Sequence, residues 1–207
     1  MVLPNVNTEY DDTGSWIVFF ITVILPVIFV TGIFALLYYK KKKASILVRK
    51  FAKQDPLWNE EYLKEYTRNM FIRVNQSWLE MNFREIMPFL TDKLKMEWIS
   101  IIKIMQQNEL IYGFSSVDIE KLEIIGAIDD VDNNRDVVQI RISGYMRRHF
   151  RNIHTNQLTK KSSPGYDFFA DMYTYKRADD TWMLDEIEYL AGFSSVMRST
   201  ISNFNNR

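Results

Sequence analysis

The chain of 207 residues has no cysteine, only two histidines and only seven glycines. Without cysteine it forms no disulfide, no thiolate metal site and no cysteine nucleophile. The two histidines, His149 and His154, are too few for a histidine-rich metal site. No glycine-rich phosphate loop and no metal-binding motif is present either. We therefore predict that the protein holds no metal and no cofactor.

Charge of one sign is missing from two short stretches, although Lys+Arg and Asp+Glu both total 26. The first fifteen residues carry three acids and no base, and residues 40–53 carry seven bases and no acid. The acids are Glu9, Asp11 and Asp12, and the bases are Lys40, Lys41, Lys42, Lys43, Arg49, Lys50 and Lys53. The position of charge therefore says more about this chain than its net charge of zero.

Residues 16–39 contain no charged side chain. As a helix this segment would be about 36 Å long, enough to cross a hydrocarbon core of about 30 Å. Trp16 at one end and Tyr38 and Tyr39 at the other stand where interfacial aromatic residues belong. The flanks are the reverse of a signal peptide, which has its basic residues before the apolar run. We predict a transmembrane helix at 16–39, preceded by a short tail at 1–15.

The charged flanks also predict an orientation. Basic residues remain on the cytoplasmic or matrix side, so the acidic tail is expected outside and the C-terminal domain inside. The membrane is then the bacterial cytoplasmic membrane or the mitochondrial inner membrane, and the sequence does not choose between them.

The stretch 40–54 has two interpretations. Lys40 to Lys43 act as the signal that sets topology, or they join Arg49, Lys50 and Lys53 in a surface that faces anionic lipid. Leu47, Val48 and Phe51 fall on one helical face. That face favours a short helix that either lies along the membrane or docks on the following domain.

The remaining chain predicts helices first and strands afterwards. Asp55-Pro56 marks the boundary of a domain at 55–190. Apolar residues recur at helical spacing over 58–81, Pro88 interrupts a short second piece, and Thr91 caps a third helix that we expect to end at Gly113.

After Gly113 the apolar period changes from 3.6 to 2, which is typical of strands. We predict strands at 117–128, 137–150, 166–177 and 182–189, followed by a tail at 191–207. Helices followed by antiparallel strands indicate an α+β fold, with a curved sheet packed on helices in a cone-like half-barrel.

Several segments of this domain match a known family in order and spacing. They are Asp55-Pro56-Leu57-Trp58, Phe71 with Val74-Asn75-Gln76-Ser77-Trp78, Met87-Pro88-Phe89-Leu90-Thr91-Asp92-Lys93-Leu94, Phe169 with Tyr173-Thr174-Tyr175-Lys176-Arg177, and Thr181-Trp182-Met183-Leu184-Asp185-Glu186-Ile187. Over 55–190 the chain resembles the domain of the mitochondrial inner-membrane import-motor anchor, translocase subunit forty-four, and its mitoribosomal and bacterial relatives.

The resemblance implies an α+β cone like that of nuclear transport factor two, with an apolar pocket. It also implies a place at the inner face of the mitochondrial inner membrane or bacterial cytoplasmic membrane. What the family shares is attachment to a membrane and to other proteins. We expect two departures from the import subunit: a membrane helix of this chain's own, and no counterpart of that subunit's long N-terminal region.

Cone folds also host enzymes, so we considered the pocket acids and bases that the sequence offers. The candidates are Asp185, Glu186, Glu188, His149, Tyr145, Tyr173 and Tyr175. Glu186 and Glu188 share one face of a strand and Asp185 takes the other, so they form no acid–base pair. We predict no catalytic residue and no enzyme.

A second basic cluster lies in the second predicted strand: Arg141, Arg147, Arg148, His149 and Arg151. It is interpreted as a solvated strand face, as a contact for RNA or the ribosome, or as a contact for anionic lipid.

Together these observations predict a membrane-tethered adaptor or accessory subunit that binds partner proteins, with an apolar ligand in the pocket as a further option. One alternative is a translocation or insertion factor that contacts a ribosome or an import channel. A weaker alternative is a pocket enzyme or lipid carrier.

Overall fold

The computed structural model describes residues 18–159 and 165–191. The chain divides into two compact units, Met1–Lys40 and Lys41–Arg207. The predicted tail at 1–15, Trp16, and the C-terminal tail beyond Ala191 lie outside the described residues.

The first unit is helical where it is described. A π-helical turn at Phe20–Ile24 leads directly into helix α1, Leu25–Phe51. Proline has no N–H to donate to the preceding turn. The widened turn lies just before Pro26, and the Leu25 N–H donates to the carbonyl oxygen of Phe20. The hydroxyls of Thr22 and Thr31 donate to backbone oxygens one turn back, so these two polar groups are satisfied inside an apolar segment.

In the described part of the chain, no individual helix combines the length and the apolar character needed to cross a bilayer. The transmembrane helix at 16–39 therefore stays a prediction.

In the second unit, the end of α1 packs into the domain. Ala44 and Val48 are 3% and 0% exposed, and the ring of Phe51 contacts the edge of Trp58 at a centroid distance of 5.0 Å. Positions 44 and 48 are thus buried at helical spacing, and Leu47 and Phe51 beside them are half-buried. Of the two arrangements expected for this stretch, the structure has the helix docked on the domain.

Two further helices follow, α2 at Glu60–Glu80 and α3 at Asp92–Gln107. The side chains of Asn59 and Thr91 accept hydrogen bonds from Tyr62 N–H and Leu94 N–H and so cap the two N-termini. The prediction that the third helix ends at Gly113 was wrong. The helix ends at Gln107, and Gly113 lies inside the first strand.

The sheet consists of four antiparallel strands in chain order. They are β1 at Leu110–Ile128, β2 at Val137–Asn152, β3 at Asp167–Ala178 and β4 at Thr181–Ala191. The aromatic-rich strand β3 is central, as its apolar residues on both faces indicate. The α+β class and the curved sheet packed on helices are thereby confirmed.

Register shifts bend the sheet. Strand β1 carries three of them against β2, and β4 carries two against β3. Each shift adds local twist and lets a long strand curve. Gly144 of β2 lies where β1 crosses closely, because a Cβ at this position would overlap the backbone oxygen of Asp118.

The core lies between the inner face of the sheet and helix α2. Its largest fully buried side chains are aromatic, and Phe71 of α2 stacks on Phe169 of β3 with ring centroids 5.2 Å apart. The Tyr66 hydroxyl donates to the Trp182 carbonyl oxygen and ties α2 to β4. Helix α2 therefore covers the inner face of the four-stranded sheet.

Candidate functional site

A small cavity lies between α2 and the inner face of the sheet. It has a volume of about 20 Å³. Its walls are Val74, Asn75 and Trp78 of α2, Tyr112 of β1, Met146 and Arg148 of β2, Asp171 and Tyr173 of β3, and Tyr189 of β4. All four strands thus contribute side chains to this cavity.

Asp171 is the notable group in this cavity. Asp171 is 5% exposed, and its Oδ1 atom has no hydrogen-bond partner among the described residues. Burial raises the pKa of Asp171 to about 7, and the positive charge of Arg148 opposes part of that rise. The carboxyl is therefore partly protonated near neutral pH.

The tyrosine hydroxyls around Asp171 remain protonated. Burial raises the pKa of Tyr112 and of Tyr173 above the usual range of a phenol. The Tyr112 hydroxyl donates weakly to the sulfur of Met146 at 3.8 Å. These groups act as hydrogen-bond donors or acceptors and not as bases.

The size of the cavity limits what it does. A volume of about 20 Å³ holds roughly one water molecule. Pockets for small molecules have volumes of about 300 to 1,000 Å³. Among the described residues, the cavity under α2 is therefore too small for the apolar ligand that the family resemblance implies.

The basic cluster of β2 does not form one surface. Because successive residues of a strand point to opposite faces, Arg148 points inward and is 6% exposed, while Arg147 lies on the outer face and is exposed. The prediction of a single basic face was wrong for this reason. Arg141 and Arg151 are half-buried on the outer side.

His149 also departs from the expected solvated edge. It is 6% exposed, and a Cβ on Gly113, its cross-strand neighbour, would come within 2.7 Å of its Nε2 atom. Burial lowers the pKa of His149, and the charges of Arg151 and Arg147 lower it further. The imidazole is therefore neutral at neutral pH and contributes no charge to the strand.

Arg141 lies across from Glu123 of β1. Glu123 accepts a hydrogen bond from Lys41 at 2.6 Å, and this bond is the main cause that lowers the pKa of its carboxyl. The positive charge of Arg141 is thus matched locally by an acid.

The predicted basic stretch after the apolar segment divides into two groups. Lys41 binds Glu123, and Arg49 lies 3.5 Å from Glu60, so these two hold α1 on the domain. Lys42, Lys43, Lys50 and Lys53 are exposed, as are Tyr38 and Tyr39. The side chain of Lys40 lies outside what the structure describes.

The carboxylates considered for catalysis lie apart from the cavity. Asp185 is 4% exposed and accepts a hydrogen bond from Thr91 at 2.9 Å, and Lys176 lies 3.0 Å from its other oxygen. Glu186 binds Lys93 at 2.9 Å. These pairs join the start of α3 to β3 and β4, so Asp185 and Glu186 have structural roles, and Glu188 is half-buried on β4.

The three candidate tyrosines have different places. Tyr173 lines the cavity, and Tyr175 is fully buried next to Tyr66, where burial raises the pKa of the Tyr175 hydroxyl well above its usual range. Tyr145 lies on the outer face and is 41% exposed.

Sequence reasoning missed Asp171. Its neighbours two positions away, Phe169 and Tyr173, are buried, so the period of two along β3 places this acid on the apolar face. That alternation is the signal that would have found it.

Within the described residues, no group of three or more metal-ligating acids or histidines lies close enough to hold an ion.

No protein-family model matches this chain, and a search of curated proteins finds no match. Among solved structures, the chain is similar to the crystal structure of the intermembrane space region of chloroplast protein ARC6. The two are 14% identical, with a TM-score of 0.40, and the match covers 62% of this chain and 97% of the other.

Proposed function

We propose that this protein is a single-pass membrane protein whose C-terminal domain works as an adaptor for partner proteins at the cytoplasmic or matrix face. The observation that carries the proposal is the dual character of α1. Its first half exposes apolar side chains, and its last turns belong to the core of the domain.

The apolar half supports a membrane anchor. Large side chains such as Phe29, at 70% exposure, and Ile28, at 57%, are open to the surroundings along this segment. A contiguous apolar surface of this kind is unfavourable in water and is stabilised by a hydrocarbon environment. The π-helical turn and α1 up to Tyr39 together cover residues 20–39, about 30 Å of helix. The proposal takes these two elements as one membrane segment, because both satisfy their backbone groups internally.

The end of α1 is part of the C-terminal domain. Val48 is fully buried, and Lys41 and Arg49 bind acids of the domain.

The finer assignment of the fold, a cone like that of nuclear transport factor two, belongs to the same proposal. Helices that roof a curved four-stranded sheet are consistent with it. The cavity under α2, at about 20 Å³, has no room for a lipid or a substrate, so it does not support a lipid carrier or an enzyme that works in this pocket.

The anchor is tested by placing charge in its middle. In a Phe29→Arg, Val30→Arg variant we expect the protein to leave carbonate-washed membranes, because each arginine at a bilayer centre costs about 2.5 to 3.5 kcal/mol. An Ile46→Arg variant, at an exposed position of the same helix outside the apolar segment, is the matched control. Retention of the double variant in the membrane pellet would contradict the anchor.

The orientation is tested with single cysteines, because the natural chain has none and gives no background. In intact spheroplasts an impermeant maleimide should label Thr8→Cys and spare Glu120→Cys. The opposite pattern would overturn the assigned orientation.

The adaptor role is tested by crosslinking in native membranes followed by affinity purification. We expect a discrete set of crosslinked partner proteins. A free 24.7 kDa protein that crosslinks to nothing would argue against an adaptor. Ribosomal proteins among the partners would indicate a role in protein insertion.

A further inference from the structure

Three exposed aromatic rings and one exposed arginine lie on the outer face of the sheet. We call Tyr145, Arg147, Tyr166 and Phe168 the aromatic–arginine cluster. Tyr145 of β2 and Phe168 of β3 are direct cross-strand partners, with ring centroids 5.6 Å apart and planes at 68°. Each is 41% exposed, and Tyr166 is 62% exposed. Three large rings are therefore open to solvent, and two of them are in direct contact.

The geometry of the cluster is held by the strands. Arg147 follows Tyr145 by two residues, so both side chains stand on the outer face. The partner of Arg147 on β1 is Ser116, and the Ser116 hydroxyl donates to the Tyr166 hydroxyl at 2.9 Å. This bond fixes the Tyr166 hydroxyl at the β1 residue that pairs with Arg147. A patch built on regular strands and held in this way is preorganised for a ligand.

The charge along this face is arranged as a narrow strip. Arg147 and Arg151 face Ser116 and Ile111 on β1, so neither arginine has an acid opposite it. Asp118, across from Tyr145, bounds the strip on the β1 side. The positive charge is therefore confined to a strip about one strand wide.

Further along the outer face, level with Gln139 and Arg141 of β2, strand β4 carries Glu186 and Glu188. A planar anionic surface that met this face would bring its charges against Asp118 and these two acids. A linear polyanion that follows β2 would meet the arginines and avoid the acids. The arrangement thus favours a strand-like ligand over a membrane surface.

We propose that the aromatic–arginine cluster binds single-stranded nucleic acid. Bases stack on exposed aromatic rings without regard to sequence, and arginines contact the phosphates. A duplex offers its bases stacked inside and does not reach the rings. This inference goes beyond the adaptor role and stands on different residues from those that carry it.

The test uses the full chain in nanodiscs of neutral lipid, with labelled oligonucleotides of about 12 nucleotides as probes. Fluorescence anisotropy is measured for single-stranded RNA, single-stranded DNA and a duplex of the same sequence, from about 50 to 200 mM salt. We expect binding to the single strands that weakens with salt, and binding to the duplex at least about tenfold weaker.

The variants separate stacking from charge. Tyr145→Ala with Phe168→Ala should weaken binding by about 10- to 100-fold and leave the salt dependence unchanged. Arg147→Ala should weaken binding and lower the slope of log K against log salt by about 1. Matched controls are Tyr62→Ala, which is equally exposed on α2, and Arg135→Ala, an exposed arginine in the β1–β2 turn. Both controls should bind as the natural chain does.

Two results would overturn the proposal. One is binding to oligonucleotides that the cluster variants and the controls retain equally, in which case another surface holds the ligand. The other is an absence of oligonucleotide binding. Vesicles rich in anionic lipid form a separate arm, and cluster-dependent binding to vesicles alone would reassign this face to lipid.

Discussion

The guanidinium of Arg177 on β3 donates a hydrogen bond to the carboxylate of Asp55, which lies 122 positions earlier in the chain. The same nitrogen lies 3.4 Å from Oδ2 of Asp136, a fully buried acid. Burial alone would raise the pKa of Asp55. Hydrogen bonds from Arg177 and the Leu57 N–H, and the charge of Arg177, outweigh it and lower that pKa. The contact therefore ties Asp55, at the start of the predicted domain, to strand β3.

Arg177→Ala should therefore destabilise the domain by about 3 to 5 kcal/mol, because it leaves two acids without their buried cation. Thermal unfolding of the full chain in detergent, followed by tryptophan fluorescence, measures the loss. Arg135→Ala removes an exposed arginine and should change stability by less than about 0.5 kcal/mol. A loss of stability no larger than that of Arg135→Ala would show that Arg177 does not tie Asp55 and Asp136 to β3.

Asp171 should make the stability of the domain depend on pH. Its pKa is raised from 3.8 to about 7 in the folded state, so folding favours the protonated carboxyl. The contribution is full below pH 4 and is lost as the pH rises through 4 to 7, by at most about 4 kcal/mol. Unfolding in urea at several pH values should show this decline in the natural chain and a flatter profile in Asp171→Asn. Asp118→Asn, an exposed acid, should leave the profile as it is, and equal profiles for all three would refute the assignment.

Gly144 should tolerate no side chain. Its missing Cβ would overlap the backbone oxygen of Asp118, and a strand that is held in a sheet on both sides moves little. We expect Gly144→Ala to destabilise the domain by about 2 to 3 kcal/mol or more. Gly126→Ala is the paired comparison, because its closest neighbour is the flexible side chain of Gln139, and it should cost about 1 kcal/mol or less. Chemical denaturation measures the stability of both variants. Similar losses of stability at the two glycines would contradict the close approach of β1 to Gly144.

At the docked end of α1, only substitutions on the buried face should destabilise the domain. Val48→Asp places a charge at a fully buried position and should destabilise the domain by several kcal/mol, on the order of 3 or more. Ile46→Asp makes the same change two residues earlier, where the side chain is 58% exposed, and should cost about 0.5 kcal/mol. Limited proteolysis near Phe51 gives a second readout. Equal tolerance at both positions would mean that this helix does not pack on the domain.

Local sequence patterns predicted much of the secondary structure of the domain. They failed where pairing between distant strands sets the bounds of an element. The helical period over 58–81 and the cap at Thr91 predicted α2 and the start of α3. Strand β1 was expected from Val117 but begins at Leu110. Residues 110–114 adopt strand structure because β2 extends to Asn152 and provides partners for them, which a local period does not reveal.

The candidate sites show the same division. Alternation along β3 contained enough information to place Asp171 inside, since Phe169 and Tyr173 share its face. The arginines of β2 were grouped by their nearness in sequence, and strand geometry separated Arg147 from Arg148. Because the side-chain period of a strand is two, neighbours in sequence are on opposite sides of the sheet.

The sequence by itself determined the uncharged segment at 16–39, the basic stretch after it, and the order of helices before strands, because these depend only on composition and short periods. Only the tertiary structure decided three other features. Val48 is buried in the domain, and the cavity under α2 has a volume of about 20 Å³. On the outer face, the Phe168 ring contacts the Tyr145 ring. Each of these depends on strand register and on packing between residues distant in sequence. A shift of one residue in register would move every side chain of a strand to the other face.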